Sequence, residues 1–310
     1  MTTSLDLSLV PRSCPICAQS DESSLFAESN VALDRLDAFA FASRKIPEYM
    51  HWRLLTCRRC DLVYASPAPV PANLSTAYQS AAFDSAREAR HAARSYARLL
   101  PQLKSRLPDL DGALDIGTGD GVFLEELIEA GFRNVMGVEP STAPVEAASY
   151  RIRPLIKHSI FRANDFRPDS LSLVTSFQTL EHLSDPLEMA SAAHRLLKPG
   201  GAAFFVGHNR RAVSARVLGR KSPIFDLEHL QLFSSASLRL LMETAGFVDV
   251  RVGILVNRYP LGYWVKLLPF SPRLKRFLLS GLTRARAQRI PVLFPAGNLW
   301  SIGIKPSPVA

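Results

Sequence analysis

The sequence predicts an α/β protein: a doubly wound, mostly parallel sheet of seven strands, preceded by a small N-terminal module. Three observations lead to this prediction. Apolar runs of strand length alternate with segments in which apolar residues recur at helical spacing, which is the pattern of βα units. Three glycines at alternate positions follow one of these runs. All four cysteines fall into two closely spaced pairs near the start of the chain.

The glycines lie in the segment 113–124, where a short apolar run leads into Gly117, Gly119 and Gly121. An apolar helical pattern follows, so the segment is predicted to form a strand, a tight turn and a helix. Glycine lets a ligand approach bare backbone, and the helix N-terminus offers unpaired N–H groups. The spacing is GxGxG rather than the GxGxxG of dinucleotide sites, and Asp115 precedes it. That carboxylate suits a ligand with an ammonium group better than a pyrophosphate.

Further features follow in a fixed order. A second apolar run ends at Glu139, where a carboxylate can accept hydrogen bonds from both ribose hydroxyls. A third run, 171–177, enters a polar turn that ends at Pro186. After it come a helical pattern, a Lys-Pro-Gly-Gly stop at 198–201 and another strand.

In this order, the features resemble motif I and the following elements of class I S-adenosylmethionine-dependent methyltransferases, over roughly residues 85 to 255. The resemblance implies that the glycine turn lines the methionine part of S-adenosylmethionine, with Asp115 directed toward its amino group and Glu139 holding the ribose. The implied cofactor-binding residues are Asp115, Gly117, Thr118, Gly119, Gly121, Glu139, Pro140, Phe177 and Gln178. The adenine contacts stay open, because Ile160 and Phe161 stand where the family usually has an acidic residue.

Three histidines are candidate catalytic residues on the acceptor side. His229 lies in a segment similar to one that borders the acceptor pocket in many small-molecule methyltransferases. His182 follows the apolar run 171–177, which resembles the family's fourth strand, and His208 ends the next strand, the fifth. A general base is needed only if the nucleophile is a hydroxyl, an ammonium or a carbon acid, and a histidine with its ordinary pKa near 6.5 suits that role. The alternative for each is a structural role, such as His182 bracing its loop through the backbone.

The cysteine pairs are Cys14 with Cys17 and Cys57 with Cys60, each with the spacing CxxC. Two facing CxxC turns close a tetrahedral four-thiolate site, which Zn²⁺ accepts. Such a site has no open position for water, so the zinc would be structural and would fold the surrounding module. Disulfides or free thiols are the alternative. His51, between the pairs, is expected to be an ordinary exposed side chain, with a substrate-facing group as the alternative.

The expected domains are a four-cysteine zinc-binding module at 1–66, a linker with cofactor-covering helices at 67–110, and a methyltransferase core at 111–310. Alternating prolines at the start of the linker favour an extended spacer. The core carries a basic, aromatic-rich insertion at about 256–297, between its expected sixth and seventh strands. Prolines divide this insertion into short helices.

The excess positive charge lies at the end of the chain. The net charge is +9, and residues 251–310 contain ten Lys or Arg and no Asp or Glu. Aromatic and basic residues interleaved over 258–294 suit contact with an anionic membrane or a lipid-linked substrate. A phosphorylated small substrate and RNA use the same residue types. A lid or a dimer surface with an ordinary basic exterior is the remaining alternative.

With 310 residues, 47% of them hydrophobic, the chain can bury a sizeable core. No apolar run has the length of a transmembrane helix and no signal-peptide pattern is seen, so a cytoplasmic location is expected. The resemblance implies methyl transfer to a small-molecule acceptor related to glycans, lipids or secondary metabolites. The first alternative is an RNA methyltransferase with a zinc module and a basic RNA-binding C-terminal region. A non-catalytic binding protein that kept the fold is the second.

Overall fold

The computed structural model describes residues 8–19, 21–32, 49–71, 86–268 and 270–307. The strands are β1 (Leu9–Val10), β2 (Ser23–Ala27), β3 (Leu54–Cys57), β4 (Val63–Ala65), β5 (Ala68–Pro69), β6 (Asp111–Ile116), β7 (Arg133–Glu139), β8 (Ile156–His158), β9 (Leu171–Phe177), β10 (Leu197–His208), β11 (Gln231–Leu232), β12 (Val248–Pro260) and β13 (Pro291–Ile304). The helices are α1 (Ala86–Ala97), α2 (Leu100–Lys104), α3 (Val122–Glu129), α4 (Thr142–Ala147), α5 (Pro186–Leu196), α6 (Val213–Leu218), α7 (Ser235–Thr244), α8 (Leu261–Leu267) and α9 (Pro272–Arg284).

The large sheet has seven strands in the order β12-β13-β10-β9-β6-β7-β8. Strands β6 to β10 run parallel to one another, while β13 is antiparallel to both β10 and β12. The chain enters the middle of the sheet at β6, moves outward to β8 and then returns to β9. The carboxyl ends of the parallel strands therefore share one edge, where open α/β sheets bind ligands. The predicted doubly wound, mostly parallel seven-stranded sheet is confirmed.

The sheet is central because its middle strands are apolar on both faces. In β6 every residue after Asp111 is buried, and in β9 every residue before Phe177 is buried. Two separate apolar clusters result, one on each face, with Leu114 in one and Ala113 in the other. Neighbouring side chains on a strand point to opposite faces, so a continuous apolar run supplies both cores.

The N-terminal cysteine region is joined to the core through a second sheet. Strands β2, β3 and β4 form an antiparallel sheet whose fourth strand is β11, from the far side of the sequence. Two further bonds cross the same junction: Ala65 N donates to Leu230 O at 2.7 Å, and Trp52 Nε1 donates to Leu227 O at 2.8 Å. The core segment before β11 is thus held between the two parts.

The expectation that His51 is exposed is wrong. Its side chain is only 2% exposed, and its Nδ1 lies 2.8 Å from Trp52 O. Its ring meets Phe225 edge-on at 6.4 Å between ring centres. Phe225 belongs to the core segment that packs on the module, so a residue distant in sequence causes the burial.

The C-terminal hairpin is longer than the sequence pattern indicated. β12 and β13 stay paired as far as Pro260 and Pro291, with irregularities near Leu255. The insertion predicted at about 256–297 therefore consists of strand at both ends and the helices α8 and α9 between them. No helix in the described ranges combines the length and apolar character needed to cross a bilayer.

The helices expected to precede the first core strand are present where the structure describes them, as α1 and α2; residues 72–85 lie outside the described residues. α1 buries Ala93 and Tyr96 while its arginines face outward, and Arg90 pairs with Glu125 of α3 at 3.3 Å. The arginine-rich face is therefore exposed to solvent.

Candidate active site

The glycine loop connects β6 to α3 and is held against the neighbouring strand. The amides of Gly117 and Thr118 both donate to Val138 O, at 2.9 and 3.1 Å. Gly117 has φ +76°, and a Cβ there would lie 2.4 Å from the Thr179 hydroxyl oxygen. At Gly119, with φ +60°, a Cβ would meet no atom within 4 Å. The loop is therefore closed at Gly117 and leaves room beside its backbone at Gly119.

Two buried carboxylates flank this loop. Asp115, 2% exposed, accepts a hydrogen bond from Thr175 Oγ1 at 2.6 Å. Burial raises the pKa of Asp115 to about 7, although the Thr175 hydrogen bond acts in the opposite direction. Glu139, at the end of β7, accepts from Gly119 N and from Ser141 N, each at 2.9 Å. Both carboxylates have fixed positions on either side of the loop.

The other predicted cofactor residues surround the same edge of the sheet. Pro140 follows Glu139, and Thr118 is buried in the loop itself. Phe177 ends β9 and packs on Phe123, with ring centres 4.5 Å apart. Gln178 adopts φ +52°, uncommon for a residue other than glycine, and neither polar atom of its buried amide has a hydrogen-bond partner among the described residues. Buried amides are rarely left unpaired, so this amide is a candidate ligand-binding group.

The three predicted histidines meet at the same edge. His182 lies in a single 3₁₀ turn after β9, His208 ends β10, and His229 stands just before β11. The ring centre of His229 lies 5.0 Å from that of His182 and 4.8 Å from that of His208. Three segments far apart in the sequence therefore form one histidine cluster, defined as His182, His208 and His229.

Hydrogen bonds to carbonyl oxygens orient all three rings, and the Nδ1 of His182 lies 3.1 Å from Glu228 O. The Nδ1 of His229 lies 2.9 Å from Ile224 O, and the Nδ1 of His208 lies 3.1 Å from the amide oxygen of Asn298. Because these oxygens only accept, each Nδ1 carries the proton and Nε2 has the free lone pair. The Nε2 of His229 points toward Glu228, with Oε1 at 3.8 Å, and the other Glu228 oxygen lies 3.8 Å from His182 Nδ1.

Burial makes the histidines far weaker bases than the sequence suggested. It lowers the pKa of His182 to about 4, with the neighbouring His208 adding to the effect, and the pKa of His208 to about 4. The pKa of His229 also lies well below its ordinary value, first through burial and then through the other two histidines. The expectation of a base with its ordinary pKa is wrong for all three residues. They are neutral at neutral pH.

Sequence reasoning missed two acids in this cluster. Glu181 is fully buried, and its Oε1 accepts from the His208 backbone N–H at 2.5 Å. Burial raises its pKa to about 7, and its Oε2 has no hydrogen-bond partner in the described part of the chain. Glu228 contacts both neighbouring imidazoles, as given above. A signal was available: Glu181 and Glu228 are the middle residues of two Leu-Glu-His tripeptides.

Aromatic side chains from α1 and the C-terminal hairpin cover this edge. Tyr96 of α1 packs on Phe177 with ring centres 4.5 Å apart, and Tyr259 of β12 packs on His91 at 5.9 Å and on Tyr263 at 4.6 Å. Tyr96 and Tyr259 are 5% and 9% exposed.

The four cysteines form a compact group. Cys14 Sγ lies 3.5 Å from Cys60 Sγ, Cys17 Sγ lies 3.5 Å from Cys57 Sγ, and all four sulfurs are within 4.8 Å of one another. These distances exceed the roughly 2.0 Å of a disulfide bond. They approach the separation of about 3.8 Å between ligands in a tetrahedron of Zn–S bonds about 2.3 Å long. The geometry therefore fits a four-thiolate metal site.

Comparisons with known proteins agree with this architecture. A family model described as "Methyltransferase domain" matches residues 86–252, more than half of the chain. The ubiquinone biosynthesis O-methyltransferase of Thiobacillus denitrificans is 33% identical over 107 residues, which cover 33% of this chain and 46% of that protein. Its counterpart from Pseudomonas aeruginosa is 33% identical over 116 residues, covering 34% and 49%. The chain spans about half the length of these two relatives.

Among solved structures, the Haemonchus contortus phosphoethanolamine N-methyltransferase 2 with bound S-adenosyl-L-methionine aligns with a TM-score of 0.43 at 20% identity. The alignment covers 68% of this chain and 52% of that one.

Neutral buried histidines make a pH-dependent contribution to folding. Their pKa is depressed in the folded protein, so their stabilising contribution is present above about pH 6.5 and is lost as pH falls toward about 4. Asp115 and Glu181, with raised pKa values, have the opposite slope. The double variant His182→Gln/His208→Gln removes only the histidine part. The free energy of unfolding of the variant, minus that of the parent, should increase as pH falls through this window. The increase should be up to about 1.4 kcal/mol per pH unit for each histidine.

Urea unfolding over a series of pH values measures this difference. Parallel stability curves for the parent and the double variant would contradict the depressed pKa values.

Proposed function

We propose a function from one premise: the chain belongs to the methyltransferase domain family. In this proposal it transfers a methyl group from S-adenosylmethionine to a small-molecule acceptor related to glycans, lipids or secondary metabolites. One observation carries it. Asp115 and Glu139 flank the glycine loop at the same covered sheet edge where the histidine cluster and Glu228 meet. Donor-binding and acceptor-side groups are thereby adjacent.

The residues of the glycine loop fit the donor. S-adenosylmethionine, when bound, supplies a sulfonium methyl group that is already activated for transfer. Asp115 offers a buried carboxylate to an ammonium group, and Glu139 keeps lone pairs beyond its two backbone bonds for ribose hydroxyls. The room beside Gly119 and the unpaired amide of Gln178 support binding at this place.

On the acceptor side, we assign His229 Nε2 as the proton acceptor. Its Nδ1–H donates to Ile224 O, so Nε2 is the nitrogen that can take a proton from the methyl-accepting molecule. The resulting imidazolium would face the Glu228 carboxylate at 3.8 Å. In the proposal, Glu228 is the negatively charged group nearest to that imidazolium. Glu181 acts as a positioning residue, because it holds the His208 backbone N–H. Alignment of the reacting groups and exclusion of water supply the rest of the rate.

The enclosure of the cluster supports a small acceptor. His229 is 6% exposed, and Tyr96, which packs on Phe177 at the end of β9, is 5% exposed. An acceptor must therefore place its reactive group in an enclosed site. The unpaired oxygen of Glu181 and amide of Gln178 favour an acceptor that carries hydrogen-bonding groups.

We further propose that the four cysteines bind a structural Zn²⁺ ion. Cys14, Cys57 and Cys60 are buried, and four protein sulfurs leave no coordination position for a substrate. The ion would stabilise the sheet that includes β11, and hence the segment that carries Glu228 and His229.

The first test concerns the donor site. Calorimetry should show uptake of S-adenosylmethionine whose affinity rises about tenfold per pH unit as Asp115 ionises below pH 7. The affinity should fall again above the donor's own α-amino pKa near 8. Asp115→Asn should weaken binding by about 10- to 100-fold and abolish the rise below pH 7.

The matched control is Asp111→Asn, at the opposite end of the same strand, which should bind the donor as the parent does. No uptake of the donor or of S-adenosylhomocysteine by the folded protein would refute the proposed function.

The second test concerns the acceptor. The protein is incubated with donor carrying a labelled methyl group and, separately, with sugar-nucleotide, lipid and RNA fractions. The label should appear in small molecules. His229→Gln should lower turnover by about 10²- to 10⁴-fold and leave donor affinity nearly unchanged. The control His194→Gln alters a histidine packed on Phe247, outside the cluster.

Label only in RNA would favour the RNA methyltransferase alternative. Equal turnover in the His229→Gln variant would remove His229 from the mechanism.

The third test concerns the metal. Elemental analysis should find about one zinc per chain, and Cys57→Ser should remove it and lower the thermal midpoint. Methyl transfer should fall more than donor affinity, because the module supports the acceptor-side segment and not the glycine loop. Arg59→Ser changes an exposed residue within the same CxxC turn and is the control. Full zinc occupancy in Cys57→Ser would contradict the four-cysteine site.

A further inference from the structure

The end of the C-terminal hairpin carries a helix with no buried residue. All of α9 lies between β12 and β13 in sequence, and none of its residues is buried. Its neighbour α8 is anchored, since Trp264 Nε1 donates to Val292 O at 3.2 Å and packs on Tyr259 at 5.3 Å. α9 is attached to α8, where Lys275 Nζ donates to Lys266 O at 2.8 Å. The hairpin thus presents α9 on a rigid support.

One face of α9 is apolar and partly exposed. Leu274, Phe277 and Leu278 recur at the spacing that places them on one helix face. Phe277 is 74% exposed and Leu274 is 42% exposed. The preceding Leu268 and Phe270, 42% and 39% exposed, add to this surface. Grouped apolar exposure of this kind marks an interaction surface rather than an ordinary exterior.

Cationic side chains border the apolar face on both sides. On a helical projection, Arg273 and Arg284 fall on one side of it and Lys275 on the other, with Arg276 on the polar back. Arg273, Arg276 and Arg284 are exposed. No Asp or Glu occurs anywhere in residues 251–310, so nothing within the segment neutralises these charges.

We propose that α9, together with Leu268 and Phe270, docks on an anionic lipid bilayer surface. A helix that lies in a membrane interface has this design: apolar side chains enter the acyl boundary while flanking Lys and Arg meet anionic headgroups. This inference is independent of the proposed methyl transfer.

Two other occupants fit less well. RNA contacts of this size use aromatic platforms for base stacking, whereas the apolar face of α9 is mostly leucine. A second copy of the chain would bring two like-charged helices together, which like-charge repulsion opposes. Charge and side-chain type thus both select a lipid surface.

Co-sedimentation of the 310-residue chain with vesicles tests the proposal. The protein should pellet with phosphatidylcholine vesicles containing phosphatidylglycerol, should pellet much less with phosphatidylcholine alone, and should be released as salt is raised. Phe277→Ser should weaken partitioning about 10-fold. Arg273→Glu/Arg276→Glu should weaken it about 25-fold or more.

Matched controls lie at the opposite edge of the sheet. Tyr150→Ser removes an aromatic side chain that is 79% exposed, and Arg162→Glu/Arg167→Glu reverses two exposed arginines. Both should partition as the parent does, and thermal melting should show that every variant is folded. Because α9 buries nothing, its variants should melt with the parent.

Equal binding to neutral vesicles, or unchanged binding of Arg273→Glu/Arg276→Glu, would overturn the proposal. So would RNA binding in a mobility-shift assay by a chain that leaves anionic vesicles in the supernatant.

Discussion

The parallel pairing of β6 with β7 and β9 is the constraint on which the site depends. In this register Asp115 lies opposite Thr175, whose hydroxyl reaches the carboxylate at 2.6 Å. On the other side of β6, β7 ends at Glu139, which accepts a bond from the loop at Gly119. A slip of one residue in either pairing would turn these side chains to the opposite face of the sheet. The geometry around the glycine loop is therefore a direct consequence of strand register.

The histidine cluster depends on a different kind of contact, made between remote parts of the chain. The backbone N–H of Leu230 donates to Glu181 O at 2.8 Å, and the side-chain Nε2 of Gln231 donates to Leu183 O at 2.8 Å. The same short segment pairs with the cysteine module through β11 and β4. Glu228 and His229 are thus held between the loop after β9 and the module. The module, far from the glycine loop in sequence, therefore contacts the segment that carries one member of the histidine cluster, His229.

What could be predicted from sequence was local. The strand, glycine turn and helix at 113–124 and the two CxxC pairs are short patterns that can be read within a few residues. The sheet and the grouping of the four sulfurs followed from them. Burial by distant residues could not be predicted this way. His51 is covered by Phe225, and the histidines lose their ordinary pKa only because three segments bury one another. The hairpin's length likewise depends on cross-strand pairing that no single stretch shows.

Burial acts in opposite directions on the acids and the histidines, and this sets the charge of the site. It raises the pKa of Asp115 and Glu181 to about 7 and leaves the histidine cluster without positive charge at neutral pH. The stabilising contribution of the two acids is full below about pH 4 and is lost as pH rises through 7. The ionised carboxylates therefore destabilise the protein when no ligand is bound, and a bound cationic ligand offsets this destabilisation. In the proposed function, Asp115 both weakens the fold when it is ionised and favours a positively charged donor.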